Sequence, residues 1–152
     1  MQLASRVGLI LIGVALGLGV GAAGADVVAV VAAKSPITTL SKNQVVDIFL
    51  GKSARFPNGG AAVPIDQSEG SVLRDEFYSN FAGKSAAQIK AYWSKIIFTG
   101  RGQPPKAVSD SLAMKKLIAE NSATIGYIDA AMVDESVKVV VLTGSLAGSP
   151  SR

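Results

Sequence analysis

Apolar positions along this chain alternate between short continuous runs and helical stripes. Residues 26 to 33, Asp-Val-Val-Ala-Val-Val-Ala-Ala, form a Val-rich run that predicts a buried strand. Lys34-Ser-Pro-Ile37 reads as a loop. A helix then starts at Ser41, where Gln44 completes a capping box and Leu40 and Val45 have the spacing of a hydrophobic staple. Val45, Ile48 and Phe49 share its apolar face, and Gly51 is placed to end it. The stretch Ser53 to Gly60 turns at Pro57-Asn-Gly-Gly60, and Ala62 to Asp66 reads as a short strand.

A second helix opens near Ser68 to Ser71, with Leu73, Phe77 and Phe81 recurring every four residues, and Gly83 closes it. A third starts at Ser85, capped together with Gln88, with a predicted apolar face of Ile89, Trp93, Ile96 and Ile97. Tyr92 and Phe98 are expected in the core with them. Thr99-Gly-Arg-Gly-Gln-Pro-Pro105 is a loop, because adjacent prolines cannot continue a helix. A fourth helix is expected from about Ser109 to Glu120, followed by strands at Ile125–Ile128 and Val137–Leu142. This alternation indicates an α/β fold.

The first 25 residues stand apart. Met1 to Arg6 carries one positive charge, Val7 to Val20 is uncharged and apolar, and Ala23-Gly-Ala25 supplies small residues before Asp26. That succession predicts a cleaved signal peptide and a periplasmic location. The competing reading is a spanning anchor, which needs about 20 apolar residues and suits this shorter, Gly-rich run less well. No Cys follows the run to carry a lipid. The expected organisation is therefore a leader over 1–25, one α/β domain over 26–142 and a small, polar, frayed tail over 143–152.

Composition removes several functions. The chain has 152 residues and a net charge of +4, a mild bias compatible with an anionic ligand but without the clustered basic stripe of a nucleic-acid binder. It contains neither His nor Cys, which excludes Ser-His-Asp triads, thiolate nucleophiles and ordinary zinc sites. A non-enzymatic protein without a cofactor is expected.

The informative stretch is the succession from residue 40 to 81. A strand followed by Gln67-Ser-Glu-Gly-Ser71 and a helix places exposed backbone amides and a positive dipole end together, an arrangement suited to an anion. Around it lie Ile48-Phe-Leu-Gly-Lys52, Thr99-Gly-Arg-Gly102 and Ala123-Thr-Ile-Gly-Tyr127. In that order and spacing these motifs resemble the second lobe of the periplasmic phosphate-binding proteins of ABC importers. The resemblance spans Asp26 to about Leu142. It implies a single three-layer lobe of a periplasmic-binding-protein-like fold, a mixed sheet flanked by helices, and phosphate or a related small oxyanion as ligand. On that resemblance the candidate ligand residues are Ser68, Gly70 and Ser71 first, then Ser35, Thr99, Gly100, Arg101 and Gly102. The implied partners are an ABC transporter permease or another envelope protein, and a second copy of the chain. The family's ligand-binding Arg before the Ser-Gly-Thr motif has no counterpart in Pro64-Ile-Asp-Gln67, and Asp66 and Glu69 add negative charge instead. Arg74, one turn into the helix, is the cation placed to compensate.

Each feature also has a purely structural reading. Ser68 to Ser71 can serve only as a helix cap, Thr99 to Gly102 only as a turn, and Lys52, Arg74 and Arg101 as solvated surface charges. Asp66 with Glu69 as an acid–base pair lacks the surrounding polar groups such chemistry needs. The rival function is an interaction module, a lobe without ligand that binds another envelope protein.

Overall fold

The computed structural model describes residues 26–140. The expected leader over 1–25, the tail over 143–152, and Val141 and Leu142 of the expected last strand lie outside the described residues. Five strands form one sheet: β1 (Val27–Ala32), β2 (Val63–Gln67), β3 (Lys106–Val108), β4 (Thr124–Asp129) and β5 (Val137–Val139), in the order β3-β2-β4-β1-β5. Strand β2 runs parallel to both β3 and β4, whereas β1 is antiparallel to β4 and β5. The sheet is therefore mixed.

Four helices cover it: α1 (Lys42–Phe49), α2 (Val72–Ala82), α3 (Ala86–Phe98) and α4 (Ser111–Glu120). The two-residue period of β1 and β4 sorts the layers. Ala29, Val31, Ile125 and Tyr127 face the core shared with α1, α2 and α3, while Val30 and Ile128 face α4 through Met114 and Ile118. The first core is aromatic. Phe77 stacks on Tyr127 at 4.0 Å between ring centroids, and Phe49 and Phe81 pack tilted against Phe77 at 4.8 and 4.7 Å. Pairs of this kind add about 0.5–1.5 kcal/mol each beyond their buried area. The second core is aliphatic, and α4 lies close to the sheet because position 126 is glycine. A Cβ there would overlap Met114 Sδ and Ile118 Cδ1.

Both capping boxes form. Ser41 and Gln44 exchange their two bonds at 3.1 and 2.9 Å, and Ser85 and Gln88 theirs at 3.2 and 2.8 Å. Leu40 and Val45 are both buried, as a staple requires. Two expectations fail. Strand β3 was not legible, because three residues after two prolines carry no alternation to detect; it exists through its pairing with β2. The apolar face of α3 is also narrower than its composition. Ile89 and Trp93 are buried, but Ile97 is half exposed and Phe98 is 93% exposed. A continuous Ile96-Ile-Phe98 run spans most of a helical turn, so it cannot all face one core.

Candidate functional site

Chain path places a crevice at one end of this sheet. After β2 the chain turns into α2 and α3 on the aromatic face; after β3 it turns into α4 on the aliphatic face. Adjacent parallel strands whose following helices go to opposite faces leave a gap at their carboxyl ends, where open α/β sheets hold ligands. That gap is an open cleft of about 550 Å3. Its walls are Gln67 at the end of β2 with Ser71, Val72 and Leu73 beyond it, Ser109 to Leu112 after β3, and Asp129 at the end of β4 with Met132 beyond it.

The α2 wall is built by a turn. Gly70 adopts φ 91, a left-handed value that glycine accepts without strain, and space is open where a side chain would be. Ser71 is the N-cap: its Oγ accepts from the Arg74 amide at 3.3 Å and donates to Gln67 Oε1 at 2.9 Å. The amides of Val72 and Leu73 open the helix and have no intrahelical carbonyl to meet. Ser68 is exposed, and its Oγ donates to the Val108 carbonyl at 3.2 Å, tying the turn to β3. Gln67 is buried and bridges the two walls. Its Nε2 donates to Ser111 Oγ at 3.3 Å on α4, while its Oε1 holds Ser71 on α2.

Below this wall lies a polar cluster. Asp66, 4% exposed, accepts from Tyr78 Oη at 2.6 Å, from Tyr127 Oη, and from the Gln67 amide at 2.8 Å. Arg74 Nε pairs with it at 3.4 Å, and the guanidinium lies over the Tyr78 ring at 5.2 Å. Burial, followed by the Asp66 charge and hydrogen bond, pushes both tyrosine hydroxyls far above their ordinary range. Asp66 is therefore consumed inside the protein. Glu69 is exposed and pairs with Lys90 at 3.2 Å. The two carboxylates face different partners and do not form an acid–base pair.

The α4 wall is different. Asp110 is the N-cap, its Oδ1 accepting from the Ala113 amide at 2.9 Å. Asp129 holds the 3-10 turn Ala130–Met132 through the Ala131 amide at 2.9 Å. Both carboxylates line the cleft, and among the described residues no Lys or Arg does. Arg74 instead lines a separate hollow of about 270 Å3 against α3, with Glu69, Lys90 and Trp93.

Of the residues singled out from sequence, Ser68, Gly70 and Ser71 come together in the turn that starts α2. Ser35 does not join them. It follows β1, which runs antiparallel to β4, so it sits at the opposite end of the sheet; its Oγ accepts from the Ile37 amide at 3.2 Å. Thr99 to Gly102 close α3 and lead toward the start of β3, also away from the cleft. There Thr99 Oγ1 donates to the Lys95 and Ile96 carbonyls, and the Arg101 amide to Ile96. Gln67, Asp110, Ser111 and Asp129 were missed. Asp110 carried a signal, an Asp ahead of a helical stripe, but without β3 in view nothing placed it at a strand end.

No protein-family model matches the chain, and no curated protein sequence does. Solved structures do. One was assigned as a phosphate ABC transporter substrate-binding protein, with bound phosphate, from Clostridium perfringens. It matches at TM-score 0.58 and 24% identity over 76% of this chain and 44% of that one. The fold is shared. An ABC-type phosphate transport receptor from Vibrio cholerae matches at TM-score 0.59 and 21% identity, over 75% of this chain and 44% of that one. PstS from Borrelia burgdorferi matches at TM-score 0.52 and 12% identity, over 78% and 47%. The chain thus spans less than half the length of each of these substrate-binding proteins and has the α/β fold of that part.

Proposed function

We propose that this chain binds a small oxyanion, phosphate first, at the start of α2, outside the cytoplasm and in the service of phosphate uptake or sensing. The observation that carries the reading is the cleft at the carboxyl ends of β2 and β3, where α2 begins on a neutral serine with its first amides unclaimed. The phosphate bound to the fold neighbour from Clostridium perfringens supports the ligand class. Ser71, Gly70 and Ser68 are the ligand residues of this proposal, with Ser35 and the Thr99 to Gly102 loop serving the fold. Affinity is limited by two features. The cleft is open to solvent, which weakens charge interactions several-fold relative to an enclosed site, and Asp110 and Asp129 repel an anion. Binding by a single chain is therefore weak and salt-sensitive, and tightens when a second copy or an envelope partner such as a permease covers α2.

Isothermal titration with phosphate, arsenate and sulfate tests this. Ser71→Ala removes the cap that accepts from the Arg74 amide and ties the turn to Gln67, and by loosening the amides that open α2 should weaken binding by about 1 kcal/mol. Equal affinity in both proteins removes this turn as the site. The second reading, a ligand-free interaction module, is favoured by the placement of Arg74, turned toward Asp66 and away from the cleft. No measurable heat with any oxyanion selects it.

A further inference from the structure

The cleft at the start of α2 holds more chemistry than a bare oxyanion uses. At about 550 Å3 it has the size of a site for a small organic molecule. Its walls differ in sign. The α2 wall offers the neutral cap Ser71 and the amides that open the helix. The other walls carry two carboxylates, Asp110 at the start of α4 and Asp129 at the end of β4. Each accepts a backbone amide on Oδ1, from Ala113 and Ala131, both at 2.9 Å. A neutral donor leaves the negative charge in place, and among the described residues neither Asp pairs with Lys or Arg. Nearby cations are engaged elsewhere: Arg74 with Asp66, and Lys115 of α4 with Asp134 at 2.7 Å. Apolar side chains share the lining. Val72 on α2 and Leu112 on α4 are 70% and 63% exposed there.

We infer that the preferred ligand is a zwitterion: a phosphate or phosphonate group seated at α2, joined by a short carbon chain to an ammonium that faces Asp110 and Asp129. This ligand class rests on the oxyanion reading of α2 and adds the rest of the molecule. Towards inorganic phosphate the two carboxylates act only by repulsion. Towards a zwitterion they hold its other end. An anion alone leaves both carboxylates unpaired, and a cation alone leaves the α2 amides unclaimed. A ligand with both charges satisfies every wall, and its carbon chain meets Val72 and Leu112.

Calorimetric titration with inorganic phosphate, ethyl phosphate, aminoethyl phosphate and ethanolamine tests this, because the two esters differ only in the ammonium. Aminoethyl phosphate should bind about three- to tenfold more tightly than ethyl phosphate, the worth of an ammonium beside two solvent-exposed carboxylates. The gap should narrow as salt is added. Asp110→Asn and Asp129→Asn each keep a capping oxygen and remove the charge. Each should act with opposite sign on two ligands, tightening inorganic phosphate and weakening aminoethyl phosphate, by about twofold or more in either direction. Equal affinity for the two esters overturns the inference and leaves the oxyanion site standing wherever phosphate still binds. Ethanolamine bound as tightly as its phosphate ester overturns it too, as does a shift of both ligands in the same direction in these variants, the mark of a purely structural cap. No binding of phosphate or of either ester removes the oxyanion site and the zwitterion together.

Discussion

Helix α2 begins on a serine hydroxyl and helix α4 on an aspartate carboxylate, although both open onto the same cleft. The caps do the same mechanical work, each accepting from the amide three residues on. Their electrostatic consequences differ. At α4 the positive dipole end already has an anion, the Asp110 carboxylate, covalently supplied. At α2 the cap itself carries no charge, the first-turn carboxylate being Asp75 beyond the opening amides, and the turn beneath is held by Gln67 and by the Asp66 cluster. Of the two helix mouths on the cleft, α4 is capped by a carboxylate and α2 by a hydroxyl, so an external oxyanion is better received at α2. Shared position in the fold does not confer shared function; the charge of the cap does.

Four changes break or sharpen this comparison. The largest effect falls beneath α2. Asp66→Ala strands two tyrosine hydroxyls and the Arg74 guanidinium, and should cost about 3–5 kcal/mol of stability in denaturant unfolding. A loss below about 1 kcal/mol would show that the cluster does not support the turn. Next is Ser71→Asp, which makes α2 begin as α4 does. Aspartate caps as well as serine but cannot donate to the buried Gln67 Oε1, so stability should fall by about 1 kcal/mol while phosphate affinity falls at least about tenfold, or ~1.4 kcal/mol. Calorimetric titration and thermal melting read the two halves of that statement; retained affinity would separate binding from the α2 dipole.

The third change is in pH. Tyr78 and Tyr127 hold their protons far above the value near 10 at which an unfolded tyrosine ionises. Their contribution to stability is thus complete below about pH 10 and falls above it, by up to ~1.4 kcal/mol per pH unit for each tyrosine, as the unfolded chain releases protons that the folded chain keeps. Tyr127→Phe should halve that alkaline slope in unfolding measured from pH 9 to 12. An unchanged slope would place the titration elsewhere. The smallest effect is that of Asp110→Ser, which opens α4 in the manner of α2. Removing one carboxylate at a solvent-exposed helix start should improve phosphate affinity by about 0.3–1 kcal/mol. A decrease would mean that Asp110 takes part in holding the ligand.

Helices and caps were legible in the sequence because their signals are local: Ser41 with Gln44, Ser85 with Gln88, and the four-residue spacing of Leu73, Phe77 and Phe81. The turn from Ser68 to Ser71 was legible for the same reason. Roles that depend on distant partners were not. Asp66 gave no hint that Tyr127, 61 residues away, would donate to it, or that its charge would turn inward and leave the cleft. Gln67 looked like one polar residue in a motif until Ser111, 44 residues on, came within reach. The pull of Asp66 on Arg74 likewise could not be read from an interval of eight residues that mixes a strand, a turn and a helix.

The most direct test of an anion site at α2 is the change in backbone amide resonances on titrating phosphate into the 15N-labelled protein. The amides of Gly70, Ser71, Val72 and Leu73 should move together along one saturation curve, while those of Leu112 and Ala113 at the start of α4 stay in place. Shifts confined to α4, or a spectrum unchanged at saturating phosphate, would contradict the account.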